Sequence, residues 1–451
     1  MTTCIPEKVY KIMQTLIDDN HEAYIIGGAV RDLMMCDEPH DYDLFTDATG
    51  EEILSLFPYG KIIGSETRRN KILTVIVDGI EVSQYRANGN RTETGISLED
   101  HLNTCDLTIN SMVMDINGKI TDPHHGRTDI HDRIVRSVGD PRNRIEEDKI
   151  RAFRAIRFAA KYDFHIDKHL CDAIWDTDLS DVPIERIREE ILKIIMYPHG
   201  LEMMDQFGLL EKVIPEFSLC CGMNGGHHHD ETVDYHMFNA QNTACGITDN
   251  PILVFTCAFH DIGKGSSYQP KPDDDISFHH HEKVGAEIIH DVMERMKFST
   301  NDIKYVETLI SEHMFGWHPK GTTKMFVRHF GRFERAGITI EEYVTLQYCD
   351  HQGNQKNRQI KFGDWMCNNE LIHKYYELKH SSTPFGIKDL DVDGHDLMAF
   401  GVPAGPDVGA KLDELLERVL NGEIPNEYYI LINSIYIVKT LKLLNRKVYN
   451  L

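Results

Sequence analysis

Long apolar runs, a surplus of basic residues and paired cysteines are all missing from this 451-residue chain, and each absence closes off a class of protein. No uninterrupted apolar stretch approaches the length of a membrane span, and the opening Met1 to Glu7 lacks a basic segment followed by an apolar one. The expectation is a cytoplasmic protein with no membrane partner. The ten cysteines are scattered, with one adjacent pair at Cys220 and Cys221 and no C-x-x-C spacing, which argues against a disulfide framework and against a cysteine zinc site. They read as reduced core thiols. Lysine and arginine number 48 against 72 aspartates and glutamates, a formal charge of −24, so a general basic surface that coats nucleic acid is excluded and DNA is not an expected partner. Any RNA contact is local. The candidate basic stretches are Arg142 to Lys161, Arg328-His329 with Arg332 and Arg335, Lys356 to Arg358, and Lys439, Lys442, Arg446 and Lys447. Low-complexity tracts and solenoid repeats are absent, and the length suits two to four domains.

What is present is concentrated near the start. Ile25-Ile26-Gly27-Gly28-Ala29-Val30-Arg31 reads as a glycine turn opening a helix, where backbone N–H groups face a phosphate chain and Gly allows its close approach. Asp41-Tyr42-Asp43-Leu44-Phe45 reads as a strand whose period of two puts both carboxylates on one face, spaced to share a pair of hard divalent cations. Together they describe a phosphoryl-transfer site. Ile72 to Val77, then Asp78-Gly79, then Ile80 to Tyr85, form a predicted hairpin with a tight turn. From about Glu146 onward helical periodicity dominates, broken at Pro183, Pro198, Pro215 and the Gly-rich 221–226.

The run from Ile25 through Glu51-Glu52-Ile53 resembles, nearly residue for residue, the signature of class II tRNA nucleotidyltransferases and bacterial poly(A) polymerases. That resemblance implies Mg²⁺ on Asp41 and Asp43, with Gly27, Gly28 and Arg31 approaching the triphosphate. Glu81, in Glu81-Val82-Ser83-Gln84-Tyr85-Arg86, is similar to the family strand that brings a third carboxylate to the pair. Leu98 to Met112 is similar to a segment that carries two arginines before Asp-Phe-Thr-Ile-Asn. Here Thr104 and Cys105 stand in their place, with Arg31, Arg86 and Arg91 the candidates to compensate, while Asp106 and Asn110 match. Glu147-Asp148-Lys149-Ile150-Arg151 resembles the Glu-Asp-x-x-Arg helix that selects CTP or ATP. Three apart on a helix, Asp148 and Arg151 are neighbours, and a carboxylate acceptor beside a guanidinium donor can imitate the edge of a base. Ile150, Phe153 and Ile156 are expected to pack this helix on the head, with Arg154 and Arg157 as candidates to meet phosphate. Pro183 to Glu190 resembles the supporting neck and is assigned structure, not chemistry.

A second centre is carried by histidines. His236, His260-Asp261, His281, His313 and Asp350 follow in the order of an HD phosphohydrolase constellation, similar to the HD domain of many bacterial CCA-adding enzymes. Imidazoles and carboxylates converging from successive helices suit a transition metal such as Ni²⁺ or Mn²⁺. Phe255 to Phe259 puts the His-Asp pair at the end of an apolar helix, with Gly263 as its expected stop. Tandem histidines at 227–229 and 279–280 are read as solvent-facing. Asp391 to Leu397 and Phe400 to Gly409 resemble the family's C-terminal segment, where glycines begin a packed helix.

The expected fold is α+β: a small nucleotidyltransferase α/β head (1–140), then a mostly α-helical neck (141–220), HD domain (221–380) and tail (381–451). The resemblance implies template-independent addition of C, C and A to tRNA from CTP and ATP, with an HD phosphohydrolase or 2′,3′-cyclic phosphodiesterase activity beside it. Two alternatives stand: a poly(A) polymerase, and an HD phosphohydrolase with an inactive head. The sequence sets no oligomeric state.

Overall fold

The computed structural model describes residues 5–63, 74–85, 96–226, 230–271, 276–357, 359–381 and 383–434. Ile72, Leu73, Arg86, Arg91, His227 to His229, Arg358, Lys439, Lys442, Arg446 and Lys447 lie outside the described residues. The chain divides into two compact units, 1–215 and 216–451.

The first unit opens with α1 (Glu7–Asp18), β1 (Tyr24–Ile26), α2 (Gly28–Met34), β2 (Asp43–Thr46), α3 (Gly50–Leu56), β3 (Lys61–Ile63), β4 (Thr74–Val77) and β5 (Ile80–Gln84). Then come α4 (Leu98–Leu102), β6 (Val113–Met114), β7 (Ile120–Thr121), α5 (Gly126–Asp132), β8 (Ile134–Val135), α6 (Pro141–Glu147) and α7 (Ile150–Tyr162). It ends with β9 (His165–Ile166), α8 (Lys168–Trp175), α9 (Ile184–Ile194), α10 (Gly200–Gln206) and α11 (Leu209–Val213). The head sheet has strand order β3-β4-β5-β2-β1-β6-β7, and its β2/β5 pair is parallel. Asp78 at φ 51 and Gly79 at φ 80 both take the left-handed conformation that a two-residue hairpin turn requires, which fixes the β4/β5 register at Val77 opposite Ile80. Thr49 caps α3 in a reciprocal box with Glu52. Ile25, Leu44, Val75 and Val82, all fully buried, form the sheet's contribution to a core closed by Val9, Met13 and Leu16 of α1 and Ile53 of α3. The floor beneath β2 is therefore a packed apolar core.

The second unit is mainly helical: α12 (Val233–Cys245), α13 (Pro251–Phe259), α14 (Lys264–Ser267), a hairpin of β10 (Tyr268–Pro270) and β11 (Ile276–Phe278), α15 (His281–Arg295), α16 (Thr300–Glu312), α17 (Thr323–Arg335) and α18 (Ile340–Gly353). It continues through α19 (Phe362–Cys367), α20 (Glu370–His380), α21 (Gly394–Ala399) and α22 (Pro406–Leu420). Asp393 caps α21 with Asp396, and Gly405 at φ 124 precedes α22, as the expected glycine-led helix demands. Gly263 departs from expectation. It is right-handed at φ −68 and ends no helix; an added Cβ would lie 2.1 Å from the His281 carbonyl oxygen and 2.4 Å from Gly285 N, so close approach of α15 is the reason for glycine. The cysteines are not uniformly core residues either: Cys220, Cys257 and Cys349 are buried, whereas Cys36, Cys221 and Cys367 are exposed. Among the described residues no helix is long and apolar enough to cross a membrane.

Candidate functional site

Two centres stand out, one in each unit. In the first, β1 ends at Ile26 because Gly27, at φ 68, bends the chain into α2. Asp43 is the register partner of Ile26 on one side and of Glu81 on the other. Asp41 consequently precedes the strand, a departure from the expected strand over 41–45, since β1 has no residue left to pair with it. Asp43 and Glu81 nonetheless sit side by side across the parallel pair, both exposed, and with Asp41 they line a cavity of about 550 Å³ that also includes Lys8 and His40. An all-carboxylate oxygen set on a rigid strand pair fits a hard divalent cation.

Arg31 is not at this mouth. It is buried, paired with Asp32 at 2.8 Å, bonded through Nη1 to Asn110 Oδ1, and set over the rings of Phe158 and Tyr162 at 4.9 and 5.0 Å. Its long side chain thus ties α2 to α7. Asn110 passes the link on by donating to Asp106 Oδ1 at 3.1 Å, and Asp106 Oδ2 accepts from Arg154 Nε at 2.6 Å. Burial pushes the Asp106 carboxyl up, but the Arg154 charge and the Asn110 and backbone N–H donors overcome it and hold the group below the usual carboxylate range.

A second cavity of the same unit, about 370 Å³, is lined by Asp106, Asp148, Ile150, Arg151, Arg154, Arg186, Glu189 and Glu190. Here the expectation of one helix carrying Asp148 and Arg151 is corrected. Asp148 sits at the break between α6 and α7 with φ −155 and ψ 101, its Oδ1 accepting from Ile150 N at 3.3 Å, the behaviour of an aspartate that starts a helix better than it continues one. Its other oxygen accepts from Arg186 at 2.8 Å. Arg151 turns to Glu147 at 2.7 Å and to the Thr104 carbonyl at 3.1 Å. Arg157 is paired with Glu190 at 2.8 Å, so it and Arg154 are both met by carboxylates. Ile150, Phe153 and Ile156 are buried as expected. Burial pushes the Cys105 thiol up to about 12, and nearby Asp106 adds to that rise.

The neck helix also lines this cavity. Arg186, Glu189 and Glu190 of α9 enter the cavity wall, and the signal for this was available: Ile187, Ile191 and Ile194 bury one stripe of α9, which leaves Arg186 and Glu189 on other faces.

In the second unit His236 lies on α12, His260 caps α13 with Asp261 in the following turn, His281 begins α15, His313 caps α16 and Asp350 lies on α18. All six expected residues come together. Their ligand atoms form two triads, His236 with His260 and Asp350, and Asp261 with His281 and His313, each within 4.8 Å. Asp261 spans both: its Oδ2 is 3.4 Å from the Nε2 atoms of His236 and His260, while its Oδ1 is 3.2 Å from His281 and 3.6 Å from His313. Nδ1 of His260, His281 and His313 faces the carbonyls of Cys257, Phe278 and Ile310 at 2.9, 2.8 and 2.7 Å, which orients each Nε2 toward the cluster. Burial opposes ionisation of Asp261 and Asp350, yet Lys264 and His260 beside the first, and His236 and His260 beside the second, hold both well below the usual range. His260 in turn is pushed up to about 10 against its burial by Asp261 and Asp350. A buried cluster that draws positive charge this strongly, through imidazole and carboxylate donors, fits a transition metal pair. Beside it lies a cavity of about 630 Å³ whose wall includes His313, Asp350, Trp317 and Trp365. Nothing in the sequence pattern marked these tryptophans.

Three family models match in order: the poly(A) polymerase head domain over residues 23–136, the probable RNA- and SrmB-binding site of polymerase A over 163–220, and the HD domain over 233–351. The CC-adding tRNA nucleotidyltransferase of Halalkalibacterium halodurans is 38% identical over 220 residues, 47% of this chain and 55% of that protein. The CCA-adding enzyme of Lactobacillus johnsonii is 27% identical over 433 residues, 92% of this chain and 93% of that one. The chain spans about half the length of several relatives that it matches and nearly the whole of others. In fold it is similar to the CCA-adding enzyme of Bacillus stearothermophilus solved in complex with CTP, with a TM-score of 0.66 at 22% identity, covering 98% of this chain and 100% of that one. Fold and head site together define a nucleotidyltransferase-type head followed by helical modules. The chain carries a head of the poly(A) polymerase type and an HD domain, and over nearly its whole length it is similar to CCA-adding enzymes.

Proposed function

We propose that the protein adds C, C and A to the 3′ ends of immature tRNA, using CTP and ATP and releasing pyrophosphate. The observation that carries this reading is the register of β2 against β5, which sets Glu81 beside Asp43 in one cavity with Asp41. These carboxylates hold Mg²⁺, and Gly27 and Gly28 leave room for the triphosphate. When bound, the metal ions activate the attacking 3′ hydroxyl and neutralise charge on the reacting phosphate. Asp148 and Arg151 offer an acceptor and donors to the base edge, while Arg31, Asn110, Asp106 and Arg154 keep α2 and α7 in register with one another. Arg157 acts through Glu190. The accompanying organisation is head 1–140, neck 141–220, HD domain 221–380 and tail 381–451.

The test uses Mg²⁺ and tRNA transcripts ending before CCA, with CTP alone, ATP alone or both, read at single-nucleotide resolution. Two additions with CTP and three with both support the reading. Two additions and no third make it a CC-adding enzyme, and long tails with ATP alone make it a poly(A) polymerase.

A second activity is supported by the two triads that share Asp261. We infer that the HD site hydrolyses phosphate esters, including 2′,3′-cyclic phosphates, with a transition metal such as Ni²⁺ or Mn²⁺. EDTA treatment followed by either metal should restore hydrolysis, and His260→Ala should abolish it without affecting nucleotide addition.

A further inference from the structure

The break between α6 and α7 puts Asp148 in the base cavity, and locally it is spanned by short-range bonds from Ile150 N to Asp148 Oδ1 at 3.3 Å and from Arg151 N to the Asp148 carbonyl at 2.9 Å, which do not tie it to the rest of the head. What holds it is visible. Arg144, only 13% exposed at its side chain, donates from Nε to the Val138 carbonyl at 3.2 Å, from Nη2 to the Asn103 carbonyl at 2.7 Å and from Nη1 to Glu147 Oε2 at 2.7 Å. The same Glu147 oxygen accepts from Arg151 Nη1 at 2.7 Å, and Arg151 Nη2 reaches the next carbonyl along, Thr104, at 3.1 Å. Arg151 Nη1 also donates to the Arg144 carbonyl at 2.9 Å. Two guanidiniums converging on one carboxylate oxygen therefore fasten both sides of the break to consecutive carbonyls of 103–104, the segment that leads into Asp106.

We propose that Arg144 is a positioning residue for nucleotide selection: its three-way clamp fixes the α6/α7 break, and so fixes where Asp148 and Arg151 present acceptor and donors to the Watson–Crick edge of an incoming base. It rests on the reading of the head as a CCA-adding enzyme. A flat fork of donors is needed to span two carbonyls and a carboxylate at once, so lysine, a point charge, replaces it only in part. Arg144 is absent from the walls of the carboxylate cavity and of the Asp148 cavity, which separates its role from that of groups proposed to touch the nucleotide.

The experiment measures kcat and KM for CTP against UTP at the first addition, and for ATP against GTP at the last, in wild type, Arg144→Gln and Arg144→Lys, with melting temperature recorded for each. The expected result is that discrimination falls about tenfold in Arg144→Gln, the scale of one lost charged hydrogen bond, mainly through a raised KM for the correct nucleotide, with Arg144→Lys between the two. Unchanged ratios in either folded variant overturn the inference, as does an equal loss with all four nucleotides. Should Arg144→Gln not fold, Arg144→Lys carries the same comparison. A wild type that adds no nucleotide at all overturns the parent reading itself, which is a different failure.

Discussion

Replacing Arg154 by methionine removes the guanidinium that balances Asp106 while keeping most of the side chain's length. Asp106 Oδ2 loses its 2.6 Å partner, and the carboxylate keeps only Asn110 Nδ2 and its own backbone neighbour. Breaking a buried pair from one side costs about 3–5 kcal/mol. Arg154 is 35% exposed at its side chain, so solvent screening lowers that to roughly 2–3 kcal/mol. For a unit of this size each kcal/mol moves the melting temperature by about 2–4 °C, which gives a loss of roughly 4–12 °C. The pH dependence tells this mechanism from simple loss of packing. In the wild type the folded-state pKa of Asp106 is depressed, so its stabilising contribution is present above the unfolded value of about 3.9 and is lost as pH falls through the lower folded value. In the variant burial is opposed less, the folded pKa rises, and protonation relieves the unpaired charge. The gap between the two melting temperatures should therefore be widest near pH 7 and narrow toward pH 4, as followed by scanning fluorimetry or circular dichroism. A gap that stays constant with pH would refute the pairing argument.

Asp43→Asn and Glu81→Gln should each lower nucleotide addition by about a hundredfold or more while leaving the melting temperature unchanged, because both side chains are exposed; undiminished activity in either removes that residue from the site. With Mg²⁺ saturating the head, the apoprotein should take up two Mn²⁺ or Ni²⁺ ions per chain at the HD triads by calorimetry, and metal at a hundred times its Kd should stabilise the second unit by about 2.7 kcal/mol per site. Asp261→Asn should reduce that stoichiometry, and two ions still bound in the variant would contradict a shared carboxylate. Gly263→Ala should destabilise by roughly 2–3 kcal/mol and weaken metal uptake, since its Cβ must push back the His281 backbone; a variant with native melting and metal titration contradicts the close-approach reading.

The features legible in the sequence were those set by local chemistry or by a motif whose parts are adjacent. Asp78-Gly79 announces its turn because few other pairs accept two left-handed residues in succession, and that turn fixes the β4/β5 register, whereas the parallel β2/β5 pairing that sets Glu81 beside Asp43 is a long-range contact. The six HD residues were found by order, though how Asp261 divides its two oxygens between the triads depends on where five helices converge.

What escaped the sequence was partner choice among charges. Asp148 and Arg151 stand at helical spacing, and the weak helix preference of one aspartate in Glu147-Asp148-Lys149-Ile150-Arg151 is not enough to say that the helix breaks there. The break follows from tertiary partners: Arg186, 38 residues on, takes the Asp148 carboxylate, and the carbonyl of Thr104, 47 residues back, takes Arg151. The same holds for Arg31, Arg154 and Arg157, which sequence alone leaves as unspent positive charge available to phosphate. Each is instead met by an amide or carboxylate brought from elsewhere in the first unit. In a chain with 72 acidic and 48 basic side chains an arginine near a cavity has many carboxylates to meet. Burial then selects among them, because a guanidinium leaves water readily only when its donors are matched. On the proposed reading, the head would meet a base with a polar network already balanced internally, and an entering nucleotide would exchange partners with that network.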